Sequence, residues 1–272
     1  MPYFQILRPF NCLFVAVSVL FGAFYLNPDA QLNPVFFAVL SAVFIAAGGY
    51  VINDFFDLPI DAVNKPKRVL PAGKIVPKTA YLYAVALFLA GILASCFTRN
   101  MICLAMATLN SIALFYYARY FKMSFITGNI IVAYAAGSTF IYGGLAADNV
   151  KNSLIIATYA FLYTLIREFI KDAEDIEGDM KFGAGTLAVK LGRKNTVFVA
   201  MLPASAVIIF TFLMRSFLNG LTFWLLHLMV SLPLIIFLIM LLAKTEKKRF
   251  YKMSNFMKLD MLILLIILWI GK

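Results

Sequence analysis

The chain has 272 residues, of which 63% are hydrophobic and 14% charged, with a formal net charge of +11; its mean hydropathy is +0.89. That is more apolar surface than a soluble domain of this length can bury, so a water-soluble globular fold is excluded and an integral membrane protein is implied. The 24 basic residues flank apolar runs and form no basic domain of their own, which argues against nucleic acid as a partner.

A helix needs about 20 mostly apolar residues to cross roughly 30 Å of hydrocarbon. Nine such runs follow one another, at 11–26, 35–56, 79–98, 101–118, 124–146, 152–171, 195–215, 220–243 and 255–271. The fold class expected is therefore an all-α integral membrane protein, a bundle of nine transmembrane helices. Little chain is left over, so 1–272 reads as a single transmembrane domain. The first run ends at LNPDAQLNP without a small-residue cleavage site, and is read as a retained helix instead of a signal peptide.

Lys and Arg stay on the cytoplasmic side of a membrane. With the N-terminus placed there, twenty of the 24 basic residues fall on that side, and only Arg99, Lys151, Arg215 and Lys272 fall opposite. The net positive charge is then a topology and lipid-headgroup signal. A multi-pass cell-membrane protein with a cytoplasmic N-terminus is expected.

Cys12, Cys96 and Cys103 lie in or beside apolar runs without metal-ligand spacing and read as packing residues. The one histidine, His227, falls within a span and reads as a polar contact between helices.

Nine of the thirteen acidic residues fall in two places. Asp54, Asp57 and Asp61 close the second run; Glu168, Asp172, Glu174, Asp175, Glu177 and Asp179 follow the sixth. Asp172, Asp175 and Asp179 repeat the i, i+3, i+7 spacing of the first three, and on an α-helix such positions share a face. Glu174 and Glu177 fall off that face and read as solvated. Pro59 stands between Asp57 and Asp61 and is expected to kink or end the helix, leaving Asn53 and Asp57 on one face while the following turn aims Asp61. Spans two and six run in the same direction, so the two clusters emerge on the same side and can face each other.

Carboxylates crowded at a low-dielectric boundary repel one another, and a cation between them is required. Oxygen ligands without His or Cys favour a hard ion, and Mg²⁺ commonly combines one or two carboxylates with water and substrate phosphates. NKPKRVLPAGK then supplies Lys65, Lys67, Arg68 and Lys74, of which Arg68 or Lys74 could hold phosphate from the other side.

These residues carry a resemblance. N-D-x-x-D-x-x-x-D at Asn53, Asp54, Asp57 and Asp61, then N-K-P-x-R-x-L-P-x-G at Asn64 to Gly73, resembles the first signature of the UbiA superfamily of intramembrane prenyltransferases. D-x-x-D-x-x-x-D at Asp172, Asp175 and Asp179, then G-x-x-T-L-A-V-K-L-G at Gly183 to Gly192, resembles the second. The resemblance covers the whole chain. It implies a helical bundle around a central cavity open to lipid, capped by cytoplasmic loops, and transfer of a prenyl group from a polyprenyl diphosphate. Asn53, Asp54, Asp57, Asp61, Asp172, Asp175 and Asp179 would be catalytic, with Mg²⁺ on Asn53, Asp57, Asp61, Asp175 and Asp179.

Substrate contacts are expected from Arg68, Lys74, Lys122 and Lys171, and from Arg8 and Asn11 at the cytoplasmic end of the first helix. Tyr116 and Tyr117 precede Lys122 and a Gly-Asn pair, also similar to the family pattern, and their ring faces could stabilise an allylic cation. The family's usual R-P-L-P-S-G appears here as Arg68 to Gly73 with Val69 and Ala72 at two positions, neither of which the charge argument needs.

The I-D-x-x-N-K-P form at Ile60 to Pro66 is similar to members that join geranylgeranyl diphosphate to geranylgeranylglyceryl phosphate in archaeal ether-lipid synthesis. Leu58 stands where members that prenylate 4-hydroxybenzoate tend to carry Arg, which makes an aromatic acceptor from quinone, haem or chlorophyll synthesis the alternative. A cation transporter or channel is the alternative from another class, because intramembrane acids often line ion paths. Transporters tend to show inverted repeats and interrupted midplane helices, whereas here the acids sit at membrane edges in spans of one direction.

Overall fold

The computed structural model describes residues 1–271. Lys272, one of the four basic residues assigned to the opposite side, lies outside the described residues. Among those described there are twelve α-helices and no strand.

In chain order they are α1 (Pro2–Gln5), α2 (Pro9–Phe24), α3 (Leu32–Phe56), α4 (Leu58–Asn64), α5 (Pro77–Cys96) and α6 (Met101–Tyr116). There follow α7 (Thr127–Ala146), α8 (Val150–Lys181), α9 (Leu187–Leu213), α10 (Gly220–Leu226), α11 (Leu232–Ala243) and α12 (Lys247–Ile270). A five-residue π turn, Tyr117–Phe121, closes α6, and a second, His227–Ser231, carries α10 into α11 as one span. Eight spans are long and apolar enough to cross a membrane by length and composition. The run at 11–26 forms α2, which is apolar but only 16 residues long. The protein is a multi-pass membrane protein, and the many exposed Leu, Ile and Phe side chains, among them Leu89, Leu93, Leu202 and Ile209, are suited to hydrocarbon.

The chain forms two compact units, and α7 and α8 contribute residues to both. The first comprises residues 1–122 and 138–157. Its core is α3 packed on α2, α5 and α6, with Val19, Ala47, Val51, Ile52, Ala84 and Ala107 buried. Small residues set the spacing here: a Cβ on Gly143 of α7 would lie 1.9 Å from the Val19 carbonyl oxygen of α2, so these backbones cross in direct contact. Asn149 then satisfies the carbonyls at the end of α2, donating to Gly22, Ala23 and Tyr25 at 3.2, 3.2 and 2.7 Å.

Among the described residues the second unit comprises 123–137 and 158–271. Tyr159, Tyr163, Ile166 and Phe169 of α8 are buried, as are Val197 and Val207 of α9, Leu234 and Leu238 of α11, and Phe250, Met253 and Met257 of α12. Gly192 interrupts α9 at φ 76° and ψ 164°, a left-handed backbone that glycine adopts without a Cβ penalty.

Two readings of single residues are corrected. Cys96 is exposed, so only Cys12 and Cys103 are buried packing residues. His227 makes no polar contact between helices: its Nδ1 lies 2.9 Å from the Phe223 carbonyl within its own turn, and its ring packs on Phe212 and Phe223. Its Nε2 is buried without a hydrogen-bond partner.

Candidate active site

The first aspartate cluster sits where α3 passes into α4. Pro59 does break the helix, but mildly, because it is placed in the first turn of α4, where its missing N–H costs nothing. The backbone bonds Asp57 N to Asn53 O at 2.9 Å, Asp61 N to Asp57 O at 2.8 Å and Lys65 N to Asp61 O at 2.8 Å run straight through the junction. Asp61 is thus held in the same i, i+4 row as Asn53 and Asp57, a correction to the expectation that a following turn aims it. Asn53 Nδ2 donates to Asp57 Oδ2 at 2.7 Å, as their shared face predicts.

Asp54, Asp57 and Asp61 are buried, at 9, 7 and 4% exposure, which for three carboxylates is affordable only with counterions. The chain provides three. Arg8 Nη2 pairs with Asp54 Oδ1, and Lys122 Nζ with Asp57 Oδ2. Arg68 Nη1 bridges two acids, 2.6 Å from Asp61 Oδ2 and 3.4 Å from Asp54 Oδ1. Asn53, Asp54, Asp57, Asp61, Arg8, Arg68 and Lys122 are therefore brought together as one network within the first unit.

Local backbone features aim these cations. The π turn after α6 delivers Lys122, whose N–H bonds the Tyr117 carbonyl at 2.9 Å. Arg8 caps α2 with a left-handed backbone, φ 54° and ψ 65°, and its guanidinium lies 5.2 Å from the centre of the Tyr50 ring. Arg68 is followed by the buried pair Val69 and Leu70, and Gly73 at φ 67° closes the loop. Lys74, just beyond, is exposed. Asn11 is exposed in the first turn of α2. Tyr116 is exposed and stacks on Tyr120 with ring centres 5.8 Å apart, and Tyr117 is half-buried at the start of the π turn.

The second cluster lies inside α8, which stays helical as far as Lys181, so Asp172, Asp175 and Asp179 do share a face. Asn129 Nδ2 donates to Asp172 Oδ2 at 2.9 Å. Thr186 stands at the N-cap of α9 without capping it, and its hydroxyl donates instead to Asp179 Oδ2 at 3.1 Å. Asp175 and Lys171 are exposed. Glu177 is not merely solvated: although exposed, it pairs with Arg193 and lies 3.6 Å from Lys247. Glu168 is buried and pairs with its neighbour Arg167 at 2.7 Å.

Asn129 closes the Gly-Asn pair and Thr186 is the Thr of the Gly183–Gly192 signature, but neither motif by itself assigns them to the aspartates. Asp260 of α12, fully buried and accepting from the Tyr163 hydroxyl at 2.9 Å, was not singled out from the sequence. A lone Asp in an apolar span was the available signal.

A hard divalent cation fits the first cluster by its chemistry. The donors are carboxylate oxygens and the Asn53 amide oxygen, with no imidazole or thiolate among them. Among the described residues no three Asp, Glu, His or Cys side chains converge on a single point, so such an ion would complete its shell with water and substrate oxygens. That is the usual habit of Mg²⁺. The same arginines and lysine that neutralise the acids are suited to phosphate.

Comparison with known proteins gives concordant results. The family described as the UbiA prenyltransferase family matches residues 13–262. A relative from Sulfolobus acidocaldarius, named digeranylgeranylglyceryl phosphate synthase, is 36% identical over 99% of this chain and 97% of its own. A solved structure described as digeranylgeranylglyceryl phosphate synthase in membranes superimposes with a TM-score of 0.87 at 31% identity, covering 99% of this chain and 97% of the other. A UbiA homologue from Archaeoglobus fulgidus, bound to DMAPP and Mg²⁺, shares the fold at a TM-score of 0.75 and 19% identity, covering 97% and 99%.

Proposed function

Since this chain belongs to the UbiA prenyltransferase family, we propose that it transfers a geranylgeranyl group from geranylgeranyl diphosphate to the free hydroxyl of geranylgeranylglyceryl phosphate, forming the second ether bond of an archaeal membrane lipid. It is a membrane prenyltransferase, and one observation carries the choice of acceptor: identity to the Sulfolobus synthase extends over 99% of this chain. Family membership also decides against the transporter reading.

Residue roles follow from the motifs and from the network around them. Mg²⁺ on Asn53, Asp57, Asp61, Asp175 and Asp179 would supply Lewis-acid stabilisation of charge building on the departing diphosphate. Arg68 and Lys122, now on Asp61 and Asp57, donate to phosphate oxygens, with Arg8, Lys74 and Lys171 adding positive charge at the rim. Asn11 borders the same end of α2. The faces of Tyr116 and Tyr117 stabilise the allylic carbon as it becomes cationic. No strong base is required once that carbon is cationic, because holding the acceptor hydroxyl beside it replaces most of the activation. The two prenyl tails occupy a lipid-open cavity, and the reacting groups lie at the cytoplasmic face of the cell membrane, with the N-terminus on that side.

The test is product mass spectrometry on purified protein given geranylgeranyl diphosphate, Mg²⁺, geranylgeranylglyceryl phosphate and 4-hydroxybenzoate together. The digeranylgeranyl ether is expected. Dominance of the prenylated benzoate would overturn the acceptor while leaving the prenyltransferase intact.

A further inference from the structure

We propose that Asp54 is a positioning residue and not a metal ligand: it gathers the guanidinium groups of Arg8 and Arg68 so that both are delivered to the diphosphate. This rests on the diphosphate reading above and adds a division of labour within the first motif.

The backbone separates Asp54 from its neighbours. Asn53, Asp57 and Asp61 follow one another along an unbroken i, i+4 row, whereas Asp54 stands one residue on, roughly 100° round the helix. Its partners differ as well. Both of its ion-pair contacts are arginines, and both fall on the same oxygen, Oδ1.

Arg68 is shared between Asp54 and Asp61. A ligand that takes Asp61 away from Arg68 leaves the guanidinium still tethered at Asp54. Arg8 is held against a backbone cost: a non-glycine residue in the left-handed region is sustained only where the surroundings over-determine it. Here they are the Asp54 ion pair and the Tyr50 face.

The geometry also leaves both cations usable. The Asp54 side chain is 12% exposed, while those of Arg8 and Arg68 are each 31% exposed. A guanidinium has five N–H donors in a fixed fork, and only one nitrogen of each, Nη2 of Arg8 and Nη1 of Arg68, is engaged by these carboxylates. Two like charges drawn to one carboxylate are preassembled for a dianionic or trianionic ligand, which lowers the cost of ordering them at binding.

The experiment measures binding of inorganic pyrophosphate in Mg²⁺ by calorimetry, on the full chain in detergent. Asp54→Asn should weaken pyrophosphate by about tenfold, the usual scale for losing one charge-supported contact. The Mg²⁺ concentration at half-maximal binding should stay put, while Asp57→Asn should raise it. In turnover, Asp54→Asn should raise KM for geranylgeranyl diphosphate by a larger factor than it lowers kcat, as expected where mainly uniform binding is lost. The double variant Asp54→Asn with Arg8→Gln should bind no more weakly than Arg8→Gln and Asp54→Asn predict as one shared interaction, not as two independent losses. Asp54→Glu, which keeps the charge if Asp54→Asn does not fold, should retain most of the affinity.

A shift in Mg²⁺ requirement by Asp54→Asn equal to that of Asp57→Asn would make Asp54 a metal ligand and overturn the proposal. Unchanged pyrophosphate affinity, or fully additive losses in the double variant, would overturn it too. If wild-type protein binds no pyrophosphate, the diphosphate reading itself fails first, and that result is distinguishable from the others.

Discussion

Lys122 and Asp57, 65 residues apart in the chain, form a single ion pair. The acid closes α3 and the base follows a π turn, so neither the helix nor the turn alone would place them. This relationship makes the two residues separable by experiment, because one is assigned to phosphate and the other to metal.

Lys122→Met and Arg68→Ala should each raise KM for geranylgeranyl diphosphate by about ten- to a hundredfold, as expected for charge-assisted hydrogen bonds of about 1.5–3 kcal/mol. KM for geranylgeranylglyceryl phosphate should move much less. Initial rates with each substrate varied in turn make the comparison, and equal losses on both would assign these side chains to the fold.

Asp57→Ala and Asp179→Ala should each reduce turnover by at least about two orders of magnitude, the scale on which electrostatic groups at a reacting centre act. EDTA should do the same to the wild type, with recovery on adding Mg²⁺. Thermal unfolding in detergent supplies the control: the variants must stay folded while inactive. Near-normal turnover in either variant would remove that residue from the metal set.

Thr186 donates to Asp179 instead of capping α9. Thr186→Val keeps the shape and removes that one donor from a half-buried carboxylate, a loss of about 1 kcal/mol. A fall in kcat/KM of about tenfold is expected, and Thr186→Ser should recover most of it. Loss in Thr186→Ser equal to that in Thr186→Val would point to packing by the methyl group instead.

The buried pair Tyr163 and Asp260 offers a stability test. Tyr163→Phe strands a carboxyl already lacking a partner at Oδ1, and should lower stability by about 1–3 kcal/mol. The double variant Tyr163→Phe with Asp260→Leu removes both polar ends and should be less destabilised than Tyr163→Phe alone. Melting curves in one detergent decide it, and a double variant less stable than the single would contradict the argument.

Much of the site was legible because its signals are local. The i, i+3, i+7 spacing put the aspartates on helix faces, and Pro59 marked the break after Asp57. The nine apolar runs correspond to α2, α3, α5, α6, α7, α8, α9, the joined α10 and α11, and α12. What stayed hidden depends on distant pairing or on unusual backbone. Nothing near Arg8 announces a left-handed cap. The donors for Asp172 and Asp179 come from Asn129 and Thr186, 43 and seven residues away. Asp61 escapes the sequence pattern because a proline reads as a breaker, although in a first turn it preserves the register.

Winding, more than composition, is the vulnerable property of Tyr117–Phe121. Side chains after Tyr117 can vary so long as the backbone keeps its wide turn, but winding the same five residues as an α-helix would swing Lys122 by roughly a quarter turn about the axis. Substitution after Tyr117 can therefore pass through this segment, whereas a change that tightens the turn at unchanged length would take Lys122 away from Asp57 while leaving every residue of both motifs in the chain.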